Sequence, residues 1–138
     1  MRWLPWCRRV NKELAAPILC AQFYPDGTKV FAGLGNNKAV FWDVTSDVVH
    51  PFAEHDAPIK ALHFHDGLGF TATAGWDSKL KFWDNTSGSL VHSIDLTERA
   101  YAMDVSSNAL VLADAGGQIK CGSSVMICAT VPFACAKY

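Results

Sequence analysis

The chain has 138 residues, of which 50% are hydrophobic and 18% are charged, so it is neither a disordered nor a fibrous protein. Its formal net charge of −1 gives no general attraction to nucleic acid or to an anionic membrane surface. The five cysteines are odd in number and include no Cys-x-x-Cys pair, so we expect neither a disulfide framework nor a zinc site. Buried, reduced thiols are the simpler interpretation, and they fit an intracellular protein.

The two ends of the chain match nothing between them. Residues 1–15 carry charges where a signal peptide needs its apolar segment, and the apolar run Val125–Ala136 has only 12 residues, too few to span a bilayer. We therefore expect a soluble chain without a membrane partner. Residues 1–15 form an unassigned tail, and residues 122–138 form either a second tail or an outer strand.

Between these ends, short apolar runs alternate with turn sequences, a pattern typical of antiparallel strands. The first unit, residues 16–57, has four predicted strands: Ile18–Tyr24, Lys29–Gly33, Lys38–Trp42 and Val48–Ala53. The second unit, residues 58–98, repeats the plan with strands at Ile59–His65, Phe70–Ala74, Lys79–Trp83 and Leu90–Ile94. The third unit, residues 99–121, has predicted strands at Ala100–Val105, Ala109–Ala113 and Gln118–Cys121.

The first two units repeat at a fixed distance of 41 residues. The matched segments are Pro17-Ile18 with Pro58-Ile59, Phe23 with Phe64, and Phe41-Trp42-Asp43 with Phe82-Trp83-Asp84. A period of about 40 to 45 residues that ends in Trp-Asp is the signature of a WD-repeat propeller blade. We therefore predict an all-β fold, a partial WD40 β-propeller of about three four-stranded antiparallel blades.

In WD repeats four side chains brace each blade, and only the second unit has all of them. By spacing they are His55, Thr73, Asp77 and Trp83. The turn carboxylate can accept from the imidazole, the imidazole can contact the hydroxyl, and the hydroxyl can reach the indole N–H. The corresponding residues of the first unit are Leu14, Ala32, Asn36 and Trp42. The third unit lacks the tryptophan.

Two chemical interpretations compete with this structural one. The residues His55, Asp77 and Thr73 could form a catalytic triad, but the chain has neither a nucleophile on a strained turn nor a glycine-rich oxyanion site. The pair His63 and His65 alternates onto one strand face, but no third metal ligand stands at a suitable spacing. We predict no catalytic residue, no metal and no cofactor.

One large aromatic residue, Trp76, lies in the turn just before Asp77. Exposed aromatic residues in such turns often become anchors for a binding partner. Packing against a neighbouring blade is an equally weighted alternative.

Several segments of the second and third units together resemble one family. They are Glu54–Lys60 (EHDAPIK), Gly75-Trp76-Asp77, Leu80–Asp84 (LKFWD), and Glu98–Tyr101 followed by Asp104-Val105. The sequence over residues 16–120 is similar to the nuclear-pore mRNA export factors of the WD-repeat class. The mitotic-checkpoint WD-repeat proteins share some of these segments.

This resemblance implies a seven-bladed propeller that is a scaffold and not an enzyme. Members of the family bind a short nucleoporin segment, the GLEBS motif, and support export of messenger RNA. They are also associated with RNA, directly or within messenger ribonucleoprotein. On this basis we expect the protein in the nucleus, at the nuclear pore of the envelope, and in the cytoplasm. The residues expected near the partner-binding face are Trp76, Asp56, Lys60, Arg99 and Tyr101.

Three blades are fewer than the expected seven, which would need roughly 290 residues. Three blades alone leave two apolar faces open, so we expect a marginal or insoluble chain unless it self-associates or is part of a longer protein. Two alternatives to the export function stay open. They are a checkpoint-type or other WD-repeat scaffold, and a truncated product without independent function.

Overall fold

The fold is built entirely from antiparallel strands in the part of the chain that the computed structural model describes, residues 11–65, 67–107 and 109–123. Blade 1 consists of β1 (Ile18–Phe23), β2 (Lys29–Leu34), β3 (Lys38–Asp43) and β4 (Val48–Glu54). Blade 2 consists of β5 (Ile59–His65), β6 (Phe70–Gly75), β7 (Lys79–Asp84) and β8 (Leu90–Asp95). Blade 3 consists, over the described residues, of β9 (Ala100–Val105), β10 (Ala109–Asp114) and β11 (Ile119–Ser123).

Each blade is a meander in which sequential strands pair with one another. The turns between them contain the glycines and short polar residues that the sequence predicted, and Gly27 and Gly117 adopt φ angles of 74° and 77°. The predicted all-β fold of about three antiparallel units is therefore confirmed. Part of the predicted outer segment, Gly122-Ser123, extends β11, and residues 124–138 lie outside the described residues.

The blades stack side by side through their first strands. Strand β5 contacts β1 and β2 of blade 1, and β9 contacts β5 and β6 of blade 2. One apolar cluster fills each junction: Phe31 and Phe64 meet between blades 1 and 2, whereas Phe82 and Leu110 belong to the cluster between blades 2 and 3. The core of this protein therefore lies between the sheets.

Blade 2 is consequently covered on both faces. All six residues of β6 are buried, including its two threonines. This strand carries small residues at Ala72 and Ala74, both fully buried, because neighbouring sheets approach it from either side. The described residues contain no helix that is long and apolar enough to cross a membrane.

The junction between blades 1 and 2 requires a glycine at position 33. A Cβ atom at Gly33 would lie 2.5 Å from the sulfur of Cys20 and 2.9 Å from both Cγ2 and the carbonyl oxygen of Ile59. One of these contacts is to backbone and another is to a fully buried side chain, so little can shift to make room.

We expect Gly33→Ala to lower the free energy of unfolding by about 1–3 kcal/mol, as overpacking of a close-packed site usually does. The matched control is Gly35→Ala, because the nearest atoms to a Cβ there are at 3.6–3.8 Å, an ordinary contact distance. Urea unfolding of both variants measures the difference. Equal losses in the two variants would contradict a tight junction at Gly33.

Candidate functional site

The structure brings His55, Thr73, Asp77 and Trp83 together in one chain of hydrogen bonds inside blade 2. The Nδ1 atom of His55 lies 2.8 Å from Oδ2 of Asp77, and its Nε2 atom lies 2.8 Å from Oγ1 of Thr73. The indole Nε1 of Trp83 donates to the same Thr73 oxygen at 2.8 Å. The side chain of Thr73 is fully buried, and His55 is 3% exposed.

These distances fix where the protons sit. Since a carboxylate only accepts, Nδ1 of His55 donates to Asp77 and leaves Nε2 of the neutral ring as an acceptor. The hydroxyl of Thr73 then donates to His55 and accepts from Trp83. The pKa of His55 lies below its ordinary value of 6.5 because burial disfavours the imidazolium, and the nearby Asp77 carboxylate offsets this only in part. A hydroxyl so buried and already engaged is inaccessible to a substrate.

The carboxylate of Asp77 also organises the turn between β6 and β7. It accepts from the backbone N–H of Lys79 at 3.1 Å and from that of Asp56 at 3.2 Å. The N–H of Trp76 donates to the carbonyl of Pro58 at 2.9 Å, which joins this turn to the segment before β5. A Cβ atom at Gly75 would lie 2.7 Å from Oδ1 of Asp77 and 2.9 Å from Nδ1 of His55, so only glycine fits beneath the turn.

The indole of Trp76 is 37% exposed on this fixed turn. The exposed residue Asp56 lies at the same end of blade 2, bonded through its N–H to Asp77. Another exposed residue, Arg99, occupies the equivalent end of blade 3, where its carbonyl accepts from Ala115 N–H at 2.9 Å. Three of the five predicted partner-binding residues therefore share one end of the blades.

The other two, Lys60 and Tyr101, lie one step inside that end, on the first strands of blades 2 and 3. They are 41 residues apart and occupy equivalent positions in β5 and β9. Together with Gln22 and Met103 they line a shallow groove of about 380 Å³ across the first strands. Tyr101 is 52% exposed, whereas Lys60 is half-buried.

Blades 1 and 3 lack the complete chain, as their sequences indicate. In blade 1, Ala32 replaces the threonine, and the indole of Trp42 donates to the exposed Asp47 at 3.0 Å. In blade 3 the residue in register with Thr73 is Leu112, and a residue that the sequence analysis missed, Asp114, stands at the position of Gly75, with its side chain fully buried. The 41-residue period does not reveal it, because the connection between β9 and β10 is two residues shorter than that between β5 and β6, so the second strands are 39 residues apart.

The Asp114 carboxylate collects donors from its own blade. It accepts from the N–H groups of Gly116 and Gln118, each at 3.0 Å, and lies 3.3 Å from the ammonium of Lys120. The hydroxyl of Thr97 reaches it at 3.4 Å. The backbone donor of Gln118 is the main reason that the pKa of Asp114 lies below its ordinary value.

The histidine pair His63 and His65 is not brought to a common ligand. The ring of His65 stacks on Phe70 and accepts from the N–H of Leu68 at 3.1 Å, whereas His63 lies 3.9 Å from Asp104. Over residues 11–65, 67–107 and 109–123, no group of three or more histidine, cysteine or acidic residues could hold a metal ion.

A second concave feature, which the sequence analysis did not foresee, opens between blades 1 and 2. It is a cleft of about 730 Å³ at the end of the blades away from Trp76, formed in part by the turn Asp84–Gly88. Its walls include six aromatic residues: Tyr24, Phe31, Phe41, Phe52, Phe64 and Trp83.

We expect Thr73→Val to lower the free energy of unfolding by about 1–3 kcal/mol, because the variant keeps the shape but leaves His55 and Trp83 with unpaired buried nitrogens. The control is Thr86→Val at an exposed turn position, for which a change below about 0.5 kcal/mol is expected. Urea unfolding followed by tryptophan fluorescence measures both. A loss no greater than that of the control would show that the hydroxyl does not stabilise blade 2.

We also expect acidification to destabilise the protein below about pH 6.5, where the unfolded chain binds a proton at His55 that the folded chain disfavours. Stability should fall by at most about 1.4 kcal/mol per pH unit for one histidine. Urea unfolding at about pH 7.5 and about pH 5.5, on either side of the ordinary histidine pKa, measures the change.

Burial also lowers the pKa of His63, so this histidine can contribute to the same loss of stability in acid. The control variant His63→Gln removes that contribution. The pH dependence that remains in this variant is the part caused by His55. Greater stability in acid would show that the attraction of Asp77 outweighs the burial of His55.

Comparison with known proteins agrees with this architecture. Residues 46–84 match the family described as WD domain, G-beta repeat. The chain resembles the β-propeller domain of Cps50 (Swd1) from Myceliophteria thermophila with a TM-score of 0.73 and 17% identity, over 82% of this chain and 37% of that one. At this identity the likeness shows the fold alone.

Two relatives are closer in sequence. The chain is 38% identical over 96 residues to Protein Rae1 of Drosophila melanogaster, and 33% identical over 109 residues to the mRNA export factor GLE2 of Chaetomium thermophilum. These matches cover 68% and 78% of this chain but 28% and 30% of the relatives, so the chain spans about three tenths of their length. The matches confirm the resemblance on which the sequence analysis relied: the chain is a WD-repeat protein related to the mRNA export factors.

Proposed function

We propose that this chain forms three blades of a non-catalytic scaffold for the export of messenger RNA. It binds an extended nucleoporin segment of the GLEBS type at the end of the blades that carries Trp76. The similarity to a relative named as an mRNA export factor supports the process. The single structural observation that carries the binding site is an exposed indole on a turn whose backbone is already fixed.

The rigidity of the Trp76 turn favours binding. Backbone bonds to Pro58 and the carboxylate of Asp77 hold the turn before any partner arrives. Binding of a partner to this indole therefore costs little conformational entropy in the turn. Preorganised aromatic residues of this kind carry much of the binding energy in interfaces. The buried hydrogen-bond chain of blade 2 thus contributes to the site indirectly, by positioning its anchor.

The neighbouring residues extend this surface with mixed charge. Asp56 and Arg99 place opposite charges at the same end of adjacent blades, which suits an extended peptide that carries both signs. We place Lys60 and Tyr101 along the continuation of the same path, in the groove over the first strands. An aromatic ring beside a cationic side chain also suits contact with RNA, either direct or within messenger ribonucleoprotein. On this proposal the protein acts in the nucleus, at the nuclear pore and in the cytoplasm.

We expect Trp76→Ala to weaken binding of a fluorescent GLEBS peptide by roughly 30-fold, the equivalent of about 2 kcal/mol for an aromatic hot spot. Fluorescence anisotropy with the 138-residue chain measures the affinity. The matched control is Val91→Ala, because Val91 is 59% exposed but lies on the outer strand β8, away from the Trp76 turn.

Unchanged affinity in Trp76→Ala, with the control intact, would refute the proposed site. Tighter binding of a segment from a mitotic-checkpoint kinase than of the GLEBS peptide would favour a checkpoint-type scaffold over the export function.

A further inference from the structure

Blade 1 leaves one sheet face exposed at positions that are buried in blade 2. On blade 2, Ile59 and Phe64 pack against blade 1 and are 0% and 6% exposed. The residues 41 positions earlier, Ile18 and Phe23, are 51% and 66% exposed. We call the surface around Ile18 and Phe23 the front face of blade 1. It has the side chains of an interface, and none of the described strands forms a sheet against it.

Blade 3 leaves the opposite kind of face exposed. On blade 2, Ala72 and Phe82 belong to the cluster shared with blade 3 and are 0% and 1% exposed. The residues in the same register of blade 3, 39 positions later, are Val111, which is 37% exposed, and Cys121, which is also exposed. These two are directly paired between β10 and β11 and so lie on one side of the sheet. We call this surface the back face of blade 3.

The two faces are complementary halves of one kind of junction. Blade 1 meets blade 2, and blade 2 meets blade 3, each time with a back face against a front face. A back face of blade 3 placed on a front face of blade 1 would repeat this arrangement. Two front faces, or two back faces, would have no equivalent in the structure.

A hydrogen bond across the junction also fixes how the two faces align along their strands. Between blades 1 and 2, the side-chain oxygen of Gln22 accepts from the backbone N–H of Phe64 at 2.8 Å. The residue of blade 3 equivalent to Gln22, two repeats later, is Asp104, whose side chain is 82% exposed. The residue of blade 1 equivalent to Phe64 is Phe23. In the repeated junction, the Asp104 carboxylate would therefore meet the N–H of Phe23 and could accept from it, as Gln22 does from Phe64.

We propose that two copies of this chain associate head to tail through these faces and close into a ring of six blades. An interface between two different faces either closes into a ring or continues as an open polymer. Six blades lie within the range of about four to eight that propellers adopt, whereas three copies would give nine blades. Closure at two copies buries both faces of each copy.

Sedimentation equilibrium of the 138-residue chain tests the assembly directly. The expected mass is about 30 kDa, twice the 15.1 kDa of one chain. A monomer that unfolds cooperatively at all accessible concentrations would overturn the proposal. Soluble polymers of indefinite size would also overturn it, because the ring would not be closed.

Two variants test the orientation of the copies. Every junction uses one front face and one back face, so Phe23→Glu alone and Val111→Glu alone should each reduce the mass to about 15 kDa, that of one chain. An equimolar mixture of the two variants retains one intact junction and should recover the mass of two chains. Recovery in the mixture also shows that both variants fold.

The matched control is Val91→Glu, which introduces the same charge at an exposed valine outside both faces and should leave the mass of two chains unchanged. Failure of the mixture to reassociate would overturn the head-to-tail arrangement, as would loss of assembly in Val91→Glu.

Discussion

A propeller blade has two apolar faces, and a single sheet cannot bury either of them by itself. This constraint decides which parts of the present structure are ordered by packing and which are left open. Blade 2 lies between two other sheets, and every residue of its β6 is buried. Blades 1 and 3 have one covered face each, and their other faces expose Phe23 and Val111 where blade 2 has the buried residues Phe64 and Ala72. The same repeat therefore has different stability according to its neighbours.

Full coverage of blade 2 explains why it alone can hold the complete polar chain. The hydroxyl of Thr73 is shielded from water on both sides, so its bonds to His55 and Trp83 have no competing solvent. Blade 3 solves the same problem differently, because a buried carboxylate at Asp114 gathers backbone donors and Lys120 from its own sheet. That cluster needs no tryptophan and no histidine. The two blades thus carry different polar networks, centred on different positions of the second strand.

Much of the fold could be predicted from the sequence because the 41-residue period and the turn residues are both local signals. Strand bounds, the grouping of strands into units and the equivalence of Thr73 with Ala32 of blade 1 all follow from these signals. Features built from two blades could not be predicted in this way. The aromatic cleft combines Tyr24 and Phe31 of blade 1 with Trp83 of blade 2, and no single repeat contains its walls. The role of Asp114 was missed for another reason, since the shorter connection between β9 and β10 shifts the second strand of blade 3 out of the 41-residue period.

The placement of Trp76 shows how the buried and exposed parts of the molecule are connected. The turn must rise above the sheet to expose an indole, and such a turn would ordinarily be mobile. Here the Asp77 carboxylate accepts hydrogen bonds from the His55 ring inside the blade and from the backbone N–H groups of Asp56 and Lys79 in the turn. Because the same carboxylate joins both sets, loosening the buried chain would also loosen the turn. The Asp77 carboxylate therefore contributes both to the stability of blade 2 and to the fixed position of the Trp76 turn. A substitution that breaks the buried hydrogen bonds should also increase the mobility of that turn.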